Sequence, residues 1–257
     1  GDRSFVGARV VVTGASRGIG KAVAKAFAAR GARLLLLARS AAVFNTSAEM
    51  HGAQDVFSLQ CDVSIWEQVH SAVEAAEARW GPADVLVNAA AVLGPTGALW
   101  QSDPAEWEGA VRSNLVGTYN VLRATIPSMV RAKRGKIINF AGGGAAYGYP
   151  NFSAYGSAKA ALVRLSETLA LECAPHNIQV NIIAPGAVDT QLLAQVRAAG
   201  GEVRTVGRME DAVALVLYLS SPAADGITGR FIHARDDYHS FAHPLPPDLY
   251  TLRRVER

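Results

Sequence analysis

Short, unbroken apolar runs recur along this chain, and stretches with helical spacing separate most of them. The runs fall at 9–13, 33–38, 56–61, 84–88, 136–141, 178–184 and 230–233. Helical patterns occupy 18–30, 65–80, 104–131, 153–174 and 209–219, with a weaker one over 42–55 that carries Asn45, Thr46 and Ser47 in its middle. A strand that faces water on one side alternates apolar and polar residues, whereas one covered on both faces does not. Continuous runs alternating with helices therefore predict an α/β chain with one doubly wound parallel sheet of about seven strands, flanked by helices.

The 257 residues, half of them apolar, suffice for a single core of this kind. The predicted domain covers 1–235; from 236 to 257 the chain turns rich in Pro, His and Asp and reads as a segment of the same domain serving as surface or subunit contact. Lys and Arg exceed Asp and Glu by only 25 to 22, with no polybasic stripe, so neither nucleic acid nor a membrane surface is an expected partner. The longest apolar run, 212–219, is too short to span a bilayer. No secretory signal pattern opens the sequence, which points to the cytoplasm. Cys61 and Cys173 lack metal-ligand spacing, as do His233, Asp236, Asp237, His239 and His243, so no metal is expected.

The first apolar run leads straight into Thr13-Gly14-Ala15-Ser16-Arg17-Gly18-Ile19-Gly20 and then a helix. Glycines there permit a tight turn and close approach of a pyrophosphate, and the helix start supplies N–H groups and a positive dipole end. The strand before and the helix after are the context that turns a common glycine pattern into a dinucleotide site. Further along stand Asp62-Val63, Asn88-Ala89-Ala90-Ala91, Asn114 in the middle helix, Tyr155 and Lys159 four apart at a helix start, and Pro185-Gly186 through Val188 to Thr190.

In this order and spacing the motifs resemble the short-chain dehydrogenase/reductase family, to about Ile232. The resemblance implies a Rossmann-type fold and a nicotinamide cofactor. It implies that Asp62 and Val63 hold the adenine ring, and that Gly14, Ser16, Gly18, Ile19 and Gly20 cradle phosphates. It further places Asn88, Ala89, Ala90, Pro185, Gly186, Val188 and Thr190 along the cofactor. Tyr155 becomes the acid/base, Lys159 the ammonium that lowers its pKa and holds the nicotinamide ribose, and Asn114 the anchor of a proton relay. The physical need is plain, since a phenol has an ordinary pKa of about 10 and a nearby positive charge favours its anion. The family also implies a homotetramer or homodimer built on the Asn114 and Tyr155 helices.

For cofactor choice, Ala38 ends the second apolar run where an acidic residue would bind the ribose diol of NAD. Arg39 follows it and Arg17 sits in the glycine turn, two guanidinium groups suited to a 2′-phosphate. NADP(H) is the expected cofactor.

One family residue is missing. A serine that binds the substrate oxygen is expected about thirteen residues before Tyr155, at Gly142, or at Ala141 if the Ser-Gly-Gly-Gly-Ala variant is the guide. Neither position carries a hydroxyl, and Ala91 replaces a further family glycine. Three accounts stand side by side: Ala141 replaces a native serine and disables the enzyme, N–H groups of the triple-glycine turn take over, or the chemistry is lost. Ser153 is assigned to capping the following helix rather than to substitution for the serine. The loop 186–208, with Gly200-Gly201, is expected to act as a mobile lid, while Tyr147, Tyr149 and Phe152 either line the pocket or pack the loop; Trp100 and Trp107 belong to rim or core. The expected reaction interconverts a small or medium ketone and its secondary alcohol. The rivals are an epimerase or dehydratase using NADP(H) transiently, and a non-catalytic NADP(H) sensor.

Overall fold

The computed structural model describes residues 4–241 and 244–253. Seven strands form one all-parallel sheet: β1 (Arg9–Thr13), β2 (Arg33–Ala38), β3 (Asp55–Gln60), β4 (Val85–Asn88), β5 (Gly135–Phe140), β6 (Ile178–Ala184) and β7 (Phe231–His233). Their order is β3-β2-β1-β4-β5-β6-β7, so the strand order reverses between β1 and β4. The helices are α1 (Gly18–Ala28), α2 (Ala42–Ala48), α3 (Trp66–Trp80), α4 (Pro104–Val111), α5 (Gly117–Ala132), α6 (Ser153–Cys173), α7 (Gln191–Ala198) and α8 (Met209–Ser220).

Period two along each strand explains why the runs are apolar throughout. Val10, Val12, Leu34 and Leu36 pack on one face with Val23 and Phe27 of α1 and Val216 and Leu219 of α8. Their neighbours Val11, Leu35, Leu37 and Leu86 pack on the other face with Val69 and Val73 of α3 and Val121, Leu122 and Met129 of α5. Cys61 and Cys173 are both buried and free.

The structure departs from the sequence reading at three elements. The middle helix is not continuous: Arg112–Val116 forms a π-helical turn between α4 and α5. The 42–55 pattern makes only seven helical residues before the chain turns into β3. Within the 186–208 loop lies a real helix, α7, opened by Thr190, whose Oγ1 accepts from the Leu193 N–H at 3.3 Å. That threonine is an N-cap signal.

After β7 the chain folds back over the sheet edge. The Arg230 guanidinium donates to the carbonyls of Pro246, Pro247 and Leu249 at 2.7–3.0 Å. The outward N–H of Phe231 donates to the Tyr250 carbonyl at 2.6 Å and that of His233 to Asp236 Oδ2 at 2.7 Å, so the edge strand is covered. The Leu252 N–H reaches buried Glu167 on α6 at 2.9 Å. His243 lies outside the described residues. Among the described residues no group of three His, Cys, Asp or Glu is placed to hold a metal ion, and no helix is long and apolar enough to cross a membrane.

Candidate active site

A cleft of about 1170 Å³ opens where the strand order reverses, at the C-terminal ends of β1 and β4. This is the crevice in which open α/β sheets bind ligands. The glycine turn lines it with Gly14, Ser16, Arg17, Gly18, Ile19 and Gly20. Backbone geometry requires two of these glycines. Gly14 sits at φ +65°, and a Cβ there would lie 2.8 Å from the Ala89 carbonyl; a Cβ on Gly20 would meet the Gly14 carbonyl at 2.4 Å. The start of α1 has no side-chain cap and no acidic residue in its first turn, which leaves its N–H groups for an anion. A bare backbone cradle beneath an uncapped helix start fits the pyrophosphate of a dinucleotide.

Arg39, Ser40, Asp62 and Val63 line the same cleft, followed along its wall by Ala89, Ala90, Ala91, Val92, Leu93 and Gly94. Asp62 Oδ1 accepts from the N–H and hydroxyl of Ser64, which fixes its carboxylate. No acidic side chain ends β2, where buried Ala38 stands. Arg39 is exposed, while Arg17 donates a short hydrogen bond to Gln191 at the start of α7. The glycine turn is thereby tied to α7.

Asn114 lies in the π-helical turn and is fully buried. Its Nδ2 donates to the carbonyls of Val92 and Ala110 at 2.8 and 2.9 Å, and its Oδ1 accepts from the Val92 N–H at 3.1 Å. These bonds brace the cleft wall that follows β4. Asn88 donates to Asn139, which donates in turn to Ser166, so a buried amide chain crosses β4, β5 and α6. Asn88 Oδ1 is left without a partner among the described residues.

Tyr155 and Lys159 occupy one face of α6, with the ammonium 5.6 Å from the centre of the phenol ring. Both are buried, and Lys159 Nζ donates to the Phe140 carbonyl at 2.9 Å. Burial depresses the Lys159 pKa to about 8. It pushes the Tyr155 phenol upward, with Tyr149 and Tyr147 adding to the rise. The direction is opposite to the lowering expected from Lys159, and its largest cause is desolvation, because the phenol is buried among side chains rather than set against water. A protonated phenol is the form that gives a proton to a carbonyl oxygen.

The triple-glycine turn has a steric explanation. A Cβ on Gly142 would lie 2.3 Å from the Tyr155 hydroxyl, one on Gly143 would strike the Tyr149 ring at 2.7 Å, and one on Gly144, at φ +84°, would strike Gly156 at 2.7 Å. Position 142 therefore faces Tyr155. Ala141 is buried in a separate cluster with Ala145, Leu162, Val163 and Ile182. Ser153 is the first residue of α6 and accepts from Trp107 Nε1 at 3.1 Å, so it does not cap the helix. Trp107 is thereby tied in, whereas Trp100 is exposed.

These features are those of a known group. A family model for short chain dehydrogenases matches residues 8–200. This chain belongs to the short-chain dehydrogenase/reductase family. The 3-oxoacyl-acyl-carrier-protein reductase of Chlamydia trachomatis is 33% identical over 239 residues, spanning 89% of this chain and 96% of that protein. A galactitol 2-dehydrogenase of Cereibacter sphaeroides is 34% identical over 243 residues, spanning 90% and 95%. Among solved structures, a short-chain dehydrogenase/reductase from Mycobacterium ulcerans superposes with a TM-score of 0.83 at 28% identity, covering 90% of this chain and 89% of its own. As a member of the family the chain is an enzyme with dehydrogenase or reductase activity, of a kind that works with a nicotinamide cofactor.

Of the residues singled out from sequence, the structure brings the glycine turn, Arg39, Asp62, Val63, Ala89, Ala90 and Thr190 to one cleft. Asn88, Asn114, Tyr155, Lys159, Pro185, Gly186 and Val188 do not line it. Sequence reasoning missed Ser40, Cys61, Thr96, Ser113, Asp189 and the α7 residues Gln191, Leu192 and Gln195. The last three were legible in principle, since i, i+1, i+4 spacing after Thr190 marks one helix face.

Proposed function

We propose that this short-chain dehydrogenase/reductase interconverts a ketone and its secondary alcohol with NADP(H), through Tyr155, Lys159 and Asn114. The observation that carries the reading is the buried Tyr155–Lys159 pair beside the bare backbone of Gly142. Leu93, Leu192 and Ala199 pack on or beside Tyr155 and also line the cleft, so the phenol stands at the cleft's inner end. A bound NADPH would supply the hydride, and Tyr155 would give its phenolic proton to the carbonyl oxygen, so that ketone and cofactor leave as alcohol and NADP⁺. Tyr155 holds that proton, and Lys159, kept close by the Phe140 carbonyl, supplies the positive charge that stabilises the phenolate left behind. Asn114 holds the wall segment 89–94 in place and belongs to the proton relay implied by the family.

Support for NADP(H) comes from the absence of a carboxylate at the end of β2 together with Arg39 and Arg17 on the cleft. Arg17 would exchange Gln191 for the 2′-phosphate. Exposed Tyr119 on α5 and Leu171 on α6 support assembly into a homodimer or homotetramer through those helices.

The test is NADPH oxidation across a panel of ketones, with product identified and counted. One alcohol formed per NADPH consumed is the expected result. Product formed without net consumption would replace the reading with an epimerase or lyase, and binding of NADPH without any product would leave a sensor.

A further inference from the structure

The side chains packed with Tyr155 have a composition of their own. Leu93, Phe152 and Val196 are buried against Tyr155, with Tyr149, Leu192 and Ala199 packed around them. The Tyr149 ring stacks on Phe152 at 4.5 Å and 20°, and it lies close enough to Gly143 that a Cβ there would strike it at 2.7 Å. The chain that follows α7 packs against the same cluster: Gly200 takes φ +71°, and a Cβ on Gly201 would strike Val196 and Phe152 at 2.6 and 2.8 Å. No member of this cluster carries a charge. The Tyr149 hydroxyl is engaged by the Glu202 carbonyl at 3.0 Å. Of the cations nearby, Lys159 is bonded to Phe140, and Arg204 lies 4.0 Å over the Tyr147 ring and 3.5 Å from the Glu202 carboxylate.

Building on the ketone/alcohol reading, we propose that the substrate is an uncharged, mainly apolar ring ketone or ring alcohol that takes the place of this aromatic plug on Tyr155. An apolar ring exchanges its contacts for those of Phe152, Val196 and Leu93 with little desolvation cost, and the faces of Tyr149 and Phe152 suit a flat or puckered ring. A carboxylate or phosphate brought to the same place would be buried against a cluster whose described members carry no charge, and a polyol would leave hydroxyls unpaired. The bare Gly142 adds to the argument. With no side chain there, Tyr155 supplies the one side-chain hydroxyl at the substrate oxygen, and most of the affinity must come from apolar contact.

The probes are 2-decalone and 4-methylcyclohexanone, against 4-oxocyclohexanecarboxylate, which differs from the second chiefly by a charge, and L-tagatose as a polyol. Turnover is followed as NADPH oxidation by the native protein. Binding is read separately as the rise in Tm of the Tyr155→Phe protein, which keeps the ring packing. The neutral ring ketones are expected to exceed the carboxylate and the ketose by about 100-fold in kcat/KM and to be the probes that raise Tm. Leu192→Arg, at the edge shared with the cleft, is expected to narrow that gap by raising the carboxylate probe. If the ring ketones raise Tm selectively but nothing consumes NADPH, the substrate inference stands and the redox reading fails. If the carboxylate or ketose matches the ring ketones, or if the ring ketones leave Tm unchanged, the inference is overturned.

Discussion

The two ends of this site are built from different materials. The proposed cofactor end is backbone: Gly14, Gly18 and Gly20 of one turn, the uncapped start of α1, and the wall that follows β4, open to solvent along a single cleft. The proposed substrate end is side chain: Tyr149, Phe152, Leu93 and Val196, drawn from three separate segments and packed against Tyr155. A backbone site needs a few residues at fixed spacing, so it is tolerant elsewhere and intolerant of a single added carbon. A packed side-chain site has no such signature; its properties depend on what each neighbour happens to be.

That contrast can be broken most sharply at the cofactor end. Gly20→Ala would place a methyl 2.4 Å from the Gly14 carbonyl, an atom that cannot move aside, and NADPH affinity measured by fluorescence titration should fall by about 100-fold or more. Unchanged affinity would mean that the turn does not hold the pyrophosphate. Next in size is the double substitution Arg17→Ala and Arg39→Ala. Removing two charge-assisted contacts should weaken NADPH by about tenfold or more while leaving NADH nearly untouched, so the ratio of the two Kd values is the readout. An equal effect on both cofactors would argue that the arginines are ordinary surface residues.

At the substrate end the expected effects are smaller and concern packing. Gly142→Ser would bring a Cβ to within 2.3 Å of the Tyr155 hydroxyl and force the phenol aside, lowering stability by about 1–3 kcal/mol in denaturant titrations. Ala141→Ser instead puts a hydroxyl among Ala145, Leu162 and Ile182, also at a cost of about 1–3 kcal/mol, and should leave turnover per folded molecule unaltered. A large rise in turnover from Ala141→Ser would restore the view that a lost serine at 141 disables the enzyme.

A pH dependence arises at the same packed end. Lys159 has its pKa depressed by burial to about 8, below the ordinary 10.5, so the unfolded chain binds more protons than the folded one between those values. Stability therefore gains from this group as pH rises from about 8 to 10.5, as its buried charge is relieved, and the gain should vanish in Lys159→Met. Reduction should move the opposite way, declining above about pH 8 as the ammonium that supports the phenolate is lost.

The same contrast explains what the sequence revealed. The central strands were legible because burial on both faces makes a run such as Leu34 to Leu37 unmistakable, and the glycine turn was legible because its spacing is a backbone requirement. The π-helical turn at Arg112–Val116 was hidden, since its cause is a tertiary bond set from Asn114 to Val92 and Ala110. The upward shift of Tyr155 was hidden too, because it comes from the plug above the ring rather than from Lys159 four residues away. The choice between Ala141 and Gly142 turned on side-chain direction at the end of β5, which counting back from Tyr155 could not supply. Helix α7 is the exception: Thr190 announced it, and the glycines at 200 and 201 drew attention to the loop instead.

The measurement that tests the account most directly is a paired determination on Tyr155→Phe: NADPH affinity by titration, and turnover on whichever ketone the native protein reduces. Loss of one hydroxyl from the packed end should lower turnover by about 10³-fold or more while leaving NADPH affinity within about twofold, because the cradle is backbone elsewhere. Turnover that survives the substitution would contradict the assignment of Tyr155 as the acid/base.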